Sequence, residues 1–229
     1  MRIWDIDPGY LNRQSLLGEH RELHGLVSIL LNGKKGYSRH PETLRWRDYG
    51  WALKYRHKQL ASEMKLRGYV DRSPVRTRSK PESWPTYYID NPLKQFELLK
   101  EKYIEKEMGR IELPSNEEQL WRQHKYSILA RDPSLYKSIG QKVARNRICM
   151  SELSELLVKM LRIRPSAGGI RNAVQHMWGY VSGYSEEQAE SVNVWSTEKL
   201  LLEIQKRVME KNQPYIMNST ALSELMVWL

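Results

Sequence analysis

The residues best suited to chemistry stand at the start of the chain. An α-amine has an ordinary pKa of about 7.7–8.0, against about 10.4 for a lysine, so roughly a tenth of it is neutral at pH 7. The amine of Met1, at the end of a short arm, could therefore make an imine with an electrophilic carbon without help from a buried lysine. Glu19 and Glu22 follow at i, i+3 spacing, where two carboxylates can share a cleft and move a proton. On residue type alone, a solvated helix carboxylate is the commoner case for any Glu.

A second signal is the placement of charge. The 229 residues carry a formal net charge of +10, with 37 Lys and Arg against 27 Asp and Glu. Residues 31–80 hold 14 basic and four acidic side chains, whereas residues 1–30 are net −1 and residues 81–229 net +1. A focal excess of this kind points to a binding face for a polyanion. Lys34, Lys35, Arg39, Arg45 and Arg47 are candidate contacts to a phosphate backbone, and His40, before Pro41, is a candidate phosphate-binding or catalytic residue. Tyr37, Trp46, Tyr49, Trp51, Tyr55 and Tyr69 lie in the same stretch; their rings could stack on bases or fill a core.

Other chemistries find less support. The single Cys149 excludes a disulfide framework and any Cys-built zinc site. The six His residues are scattered, and no metal site and no cofactor are read from them. Asn32-Gly33-Lys34-Lys35-Gly36 lacks the spacing and the closing Lys-Ser/Thr of a P-loop. No apolar run approaches the roughly 20 residues of a bilayer span, and the opening Met-Arg-Ile-Trp-Asp has no secretory pattern. A soluble, cytoplasmic protein is expected.

The elements that must position these residues read as helices. Leu16, Leu23, Val27 and Leu30 form one stripe over 14–31, closed by Asn32-Gly33. Residues 33–49 read as a structured loop. Leu53, Leu60 and Met64 mark a helix over 51–67, with Lys54, Lys58 and Lys65 on an adjacent basic stripe and Gly68 as its stop. Four prolines at 74, 81, 85 and 92 punctuate a linker-like stretch, 70–92. Further helices are predicted over 93–108, 117–130, 134–147, 151–163, 169–183, 186–210 and 219–228. No β-alternation is long enough to claim a strand. The expected fold is all-α, in two helical domains: 1–80, then a connecting segment 81–116, then 117–229.

The first 70 residues resemble the pyrimidine-dimer DNA glycosylase family, the phage endonuclease V type. The resemblance rests on Arg2-Ile3, on the run Gln14-Ser15-Leu16-Leu17-Gly18-Glu19-His20-Arg21-Glu22-Leu23, on Asn32-Gly33-Lys34, and on Leu53-Lys54-Tyr55-Arg56 through Lys65-Leu66-Arg67-Gly68-Tyr69. The family's bacterial branch is similar at Trp4-Asp5, Pro8-Gly9-Tyr10-Leu11 and Gly36-Tyr37-Ser38-Arg39-His40-Pro41. The resemblance implies an N-terminal amine that attacks C1′ of a damaged nucleotide and forms a Schiff base, a carboxylate of the Arg-Glu-Leu motif that assists, and strand cleavage by β-elimination. Glu22 would be that carboxylate. Phage-type chains begin with Thr after loss of the initiator Met; Met1 aligns with that Thr and, with bulky Arg2 next, is expected to keep its place and supply the amine. Arg2 and Arg21 match positions that contact phosphates around the lesion, and Gln14 matches a lesion-proximal polar position. Ser15 stands where the phage-type enzymes carry a His, and Gly25 where they carry an Arg, so the resemblance implies fewer matched contacts to the cyclobutane dimer.

Residues from about 117 to 183 look like the YbgA-type domain of unknown function. The carrying blocks are Leu120-Trp121-Arg122-Gln123-His124-Lys125-Tyr126, Leu129-Ala130-Arg131-Asp132-Pro133, Arg164-Pro165-Ser166, and Asn172-Ala173-Val174-Gln175-His176-Met177-Trp178-Gly179-Tyr180. That family occurs beside desulfidase modules acting on thiolated pyrimidines, which hints at nucleic-acid or tRNA binding. His124, Lys125, Asn172, Gln175 and His176 are its candidate recognition residues. Asn172, Gln175 and His176 share one helical face, able either to read a base or to satisfy a buried contact.

These readings converge on a DNA repair glycosylase with AP-lyase activity, acting on lesion-bearing double-stranded DNA. An RNA- or tRNA-directed protein acting on modified pyrimidines, and a non-catalytic nucleic-acid-binding module, stand as alternatives.

Overall fold

The computed structural model describes residues 1–77, 79–182 and 194–229. Every regular element among them is helical. The chain divides into two compact units, Met1–Gly109 and Arg110–Leu229.

In the first unit, the arm 1–7 leads into a short 3-10 turn, Pro8–Tyr10, and then into α1, Arg13–Asn32. Asn12 starts α1 by accepting a hydrogen bond from the Ser15 amide, and Gly33 ends it at φ 60°, the left-handed conformation that glycine adopts without strain. Leu16, Leu23, Leu26 and Val27 form its buried face, against α3, Gly50–Leu66, which buries Ala52, Leu53, Leu60 and Met64. Lys54, Lys58 and Lys65 of α3 are exposed, as the basic stripe predicts. The segment read as a loop over 33–49 contains a helix, α2, Pro41–Trp46. Proline at its first position and Glu42 in its first turn are ordinary helix-start signals, too brief here to produce a period.

Residues 81–109, read from sequence as part of a connecting segment, cluster with the first unit. They include α4, Pro92–Lys102, capped by Asn91 and burying Gln95, Phe96 and Leu99. Phe96 meets Tyr10 edge to face, with ring centroids 4.9 Å apart, and the Tyr103 hydroxyl accepts from the Asn12 amide at 2.8 Å. α4 stops at Tyr103 rather than running to 108, and Glu105 adopts a positive φ of 58° just beyond it. A side chain on Gly109 would collide with the Tyr10 carbonyl, 2.5 Å away, so only glycine permits that approach.

The second unit is a helical bundle of α5, Glu117–Leu129; α6, Pro133–Ala144; α7, Met150–Leu161; α8, Ala167–Trp178; and α9, Thr197–Lys211. Asn116, Asp132, Ser166 and Ser196 cap four of them through side-chain oxygens. Two short helices follow, α10 at Pro214–Met217 and α11 at Ala221–Glu224, and a 3-10 turn, Leu225–Trp228, closes the chain. The predicted helix over 219–228 is thus two short pieces. Gly169 lets α8 approach the end of α5: an added Cβ would lie 2.0 Å from the Ala130 carbonyl oxygen. Arg131 and Glu224 form an ion pair inside this unit, and Trp228 Nε1 donates to the same carboxylate at 2.7 Å. The expected helices over 169–183 and 186–210 extend in part over 183–193, which lie outside the described residues.

Candidate active site

Among the described residues the arm 1–6 has no strand to pair with, so its amides find acceptors elsewhere. They find them on side chains of three helices. Arg2 N donates to Glu22 Oε2 at 2.6 Å, Ile3 N to Glu42 Oε1 at 3.3 Å, and Trp4 N to Glu19 Oε1 at 3.2 Å. Asp5 N and Ile6 N both donate to Gln95 Oε1, at 2.8 and 3.4 Å. Two arginines neutralise the carboxylates from behind. Arg56 grips Glu19 with two nitrogens, at 2.7 and 2.9 Å, and donates to the Ile6 carbonyl at 2.9 Å. Arg45 pairs with Asp5 and Glu42 and donates to the Tyr87 carbonyl at 3.1 Å. Burial pushes both the Glu19 and Glu42 carboxyls up, against the pull of Arg56 and Arg45 respectively.

This frame delivers the chain terminus to Glu22. The Met1 amine lies 3.8 Å from Glu22 Oε1, and the Glu22 side chain is 43% exposed. Glu19 and Glu22 therefore do share the arm but divide the work. Glu19 is sealed under it as an anchor, whereas Glu22 stands at its open end. A cavity behind the arm, lined by Arg2, Glu42, Asp90 and Gln95 among others, measures about 10 Å³, enough for one water and no more.

The remaining candidates separate by exposure. Gln14, Arg21, Lys34, Lys35, Arg39 and Arg47 are exposed, and Tyr37 is 71% exposed, available for stacking. Arg2 is half-buried; its guanidinium pairs with Asp90 and lies over the Trp4 ring at 4.7 Å. His40 caps α2, its Nδ1 accepting from Glu42 N at 3.2 Å. Arg45 is a correction: expected as a phosphate contact, it is 1% exposed and committed to Asp5 and Glu42. Trp46 is likewise core rather than a stacking ring; its indole donates to Glu42 Oε2 at 3.0 Å. Trp51 and Tyr55 stack on each other, with centroids 4.1 Å apart. Arg67 also faces inward, to Glu63 and to the carbonyls of Gly9 and Leu11.

Residues 1–77 match the family described as pyrimidine dimer DNA glycosylase. The matched stretch stops before Asp90 and Gln95, yet these two residues help to hold the arm. Residues 125–224 match a second family, described only as a protein of unknown function (DUF1722). No curated protein and no solved structure matches the chain. No helix among the described residues is long and apolar enough to cross a membrane.

Within the second unit, Asn172, Gln175 and His176 are exposed, opposite the buried Ala173, Val174 and Met177 of α8. That exposure sets aside the buried-contact alternative. Lys125 lies over the rings of Tyr126 and Tyr215, at 4.8 and 4.9 Å. His124 is not at a surface. It is buried, its Nδ1 donates to the Leu120 carbonyl at 3.0 Å, and burial pushes it down to about 4.

One group was missed by the sequence reading. His20 and His24 stand at i, i+4 on α1, the spacing that puts two imidazoles on one helix face, and that pair was the available signal. His57 and Asp71 join them. Burial pushes His57 down to about 4 and lowers His24 as well.

Proposed function

We propose that the first unit is a DNA glycosylase with AP-lyase activity on damaged pyrimidines, with the Met1 amine as nucleophile and Glu22 as its partner. The supporting observation is the Glu22 carboxylate astride the chain terminus, one oxygen on the Arg2 amide and the other facing the Met1 amine. In this reading the neutral amine attacks C1′, and the glycosidic bond breaks with its electron pair leaving on the base, which takes up a proton. Glu22 accepts the proton shed by the amine, and its charge stabilises the cation developing at C1′. The sugar ring opens at C1′–O4′ to give an imine. Loss of a C2′ proton then expels the 3′ phosphate, and water hydrolyses the imine to free the amine. The lesion must leave the stack to reach the amine, at lowest cost where stacking is already damaged. Gln14, Arg2, Arg21, Lys34, Lys35, Arg39 and Arg47 bind the flanking DNA.

The test is borohydride trapping on DNA carrying a pyrimidine dimer or an abasic site, with peptide mapping of the adduct. An adduct on the residue 1 amine is expected, and Glu22→Gln should bind DNA normally but not cleave it. Absence of any adduct, with tight tRNA binding instead, would overturn the reading in favour of an RNA-directed protein.

A further inference from the structure

Four ligand-type side chains from three segments converge in the first unit. His20 and His24 come from successive turns of α1, His57 from α3, and Asp71 from the extended chain after α3. Each offers one ligand atom, and the four atoms lie within 4.8 Å of one another. His20 Nε2 is 3.2 Å from Asp71 Oδ1, and His57 Nε2 is 3.4 Å from Asp71 Oδ2. The three rings are mutually adjacent, with centroids 4.7, 4.9 and 5.2 Å apart.

Hydrogen bonding within the cluster does not account for this arrangement. His24 Nε2 and His57 Nε2 are both buried and neither makes a hydrogen bond, a costly state for a ring nitrogen. The His57 side chain is only 6% exposed. One Asp71 carboxylate serves His20 and neighbours His57, leaving His24 unserved. A tetrahedral ion changes that balance. Zinc–nitrogen and zinc–oxygen bonds of about 2.0–2.2 Å set neighbouring ligand atoms roughly 3.4 Å apart. The His57 Nε2–Asp71 Oδ2 separation already has that length, and no pair needs a closure of more than about 1.4 Å, within reach of ring rotation.

We propose that His20, His24, His57 and Asp71 bind one divalent transition-metal ion of the zinc type. Three imidazoles and a carboxylate are donors suited to such an ion and poor for magnesium or calcium. Four protein ligands, with the His20, His57 and Asp71 side chains each no more than 15% exposed, leave no open position, so the ion is structural. It fastens α1 to α3 and ties down the irregular segment around Asp71. It also holds the turns of α1 on either side of Glu22.

The experiment uses the full chain and reads the metal, not the cleavage of DNA, so it stands or falls separately from the proposed lyase. The purified protein is incubated with Zn²⁺, exchanged into metal-free buffer, and analysed by native mass spectrometry and elemental analysis. One ion per chain is expected to remain, with Co²⁺ in its place giving the intense visible bands of a tetrahedral site. His24→Gln and Asp71→Asn each remove one ligand and should weaken retention by about tenfold or more, with circular dichroism confirming that they fold. Another divalent transition ion, lost in the same variants, supports the site equally. A wild-type chain that retains no ion, or an ion that both variants keep as tightly, overturns the proposal.

Discussion

Replacing Arg45 and Arg47 by alanine, one at a time, should separate two arginines that look alike in sequence. Arg45 is 1% exposed and faces the carboxylates of Asp5 and Glu42 together with the carbonyls of Ile3 and Tyr87. Removing its guanidinium strands two buried carboxylates, and loss of one partner from a buried ion pair costs about 3–5 kcal/mol. At about 1.4 kcal/mol per tenfold, the arm and α2 should lose roughly two to three and a half orders of magnitude of protection. Hydrogen exchange on the full chain, read on peptides spanning residues 1–6 and 41–46, measures this directly. Arg47 is exposed, so Arg47→Ala should move the same peptides by less than about 0.5 kcal/mol. Its effect belongs to binding: the slope of log affinity against log salt should flatten by about 0.9 if one B-DNA phosphate contact is lost. An Arg45→Ala chain with unchanged exchange, or an Arg47→Ala chain with an unchanged salt slope but a destabilised arm, would refute the assignment.

Three further outcomes follow from the same geometry. Gly25→Ala in mid α1 meets open space and should raise stability by about 0.5–1 kcal/mol, whereas Gly169→Ala drives a methyl into the Ala130 carbonyl and should lower the melting temperature of the second unit. Burial holds His124 at about 4 against an ordinary 6.5, so between those values the unfolded chain binds a proton that the folded one refuses. The second unit should keep its full stability above pH 6.5 and lose it progressively down to about 4, and His124→Gln should flatten that slope in exchange measured on α5. Lys34→Ala and Lys35→Ala, both at exposed positions, should each flatten the salt dependence of DNA binding by about 0.9 per contact without altering stability.

How far the sequence could be read depended on how local the cause was. The stripe of Leu16, Leu23 and Val27 and the Asn32-Gly33 stop located α1 because period and cap lie within a few residues. α2 escaped because six residues are too few to show a period, although Pro41 and Glu42 marked its start. Residues 81–109 read from sequence as linker and connecting helix, yet they cluster with the first unit, because proline reports backbone conformation and says nothing of what α4 packs against. Glu22 stands out as a candidate by resemblance and motif, whereas the arm contacts of Glu42, Gln95 and Asp90 leave no such signal, since each reaches the arm across 39 to 90 residues of chain.

The sequence by itself determined an all-helical fold for the described residues, a concentration of positive charge in residues 31–80, and an amine and a carboxylate as candidates for imine chemistry. Those properties are sums over residues or patterns within one turn. Only the tertiary structure decided which of the charges face water. Arg45, Arg56 and Arg67 turn inward to neutralise Glu42, Glu19 and Glu63, while Lys34, Lys35, Arg39 and Arg47 remain outside. It also decided that His20, His24, His57 and Asp71 meet, because their convergence depends on how α1 packs against α3. An arginine has the same sequence signature at a surface and in a core; desolvation and the partner that offsets it exist only once the helices have packed.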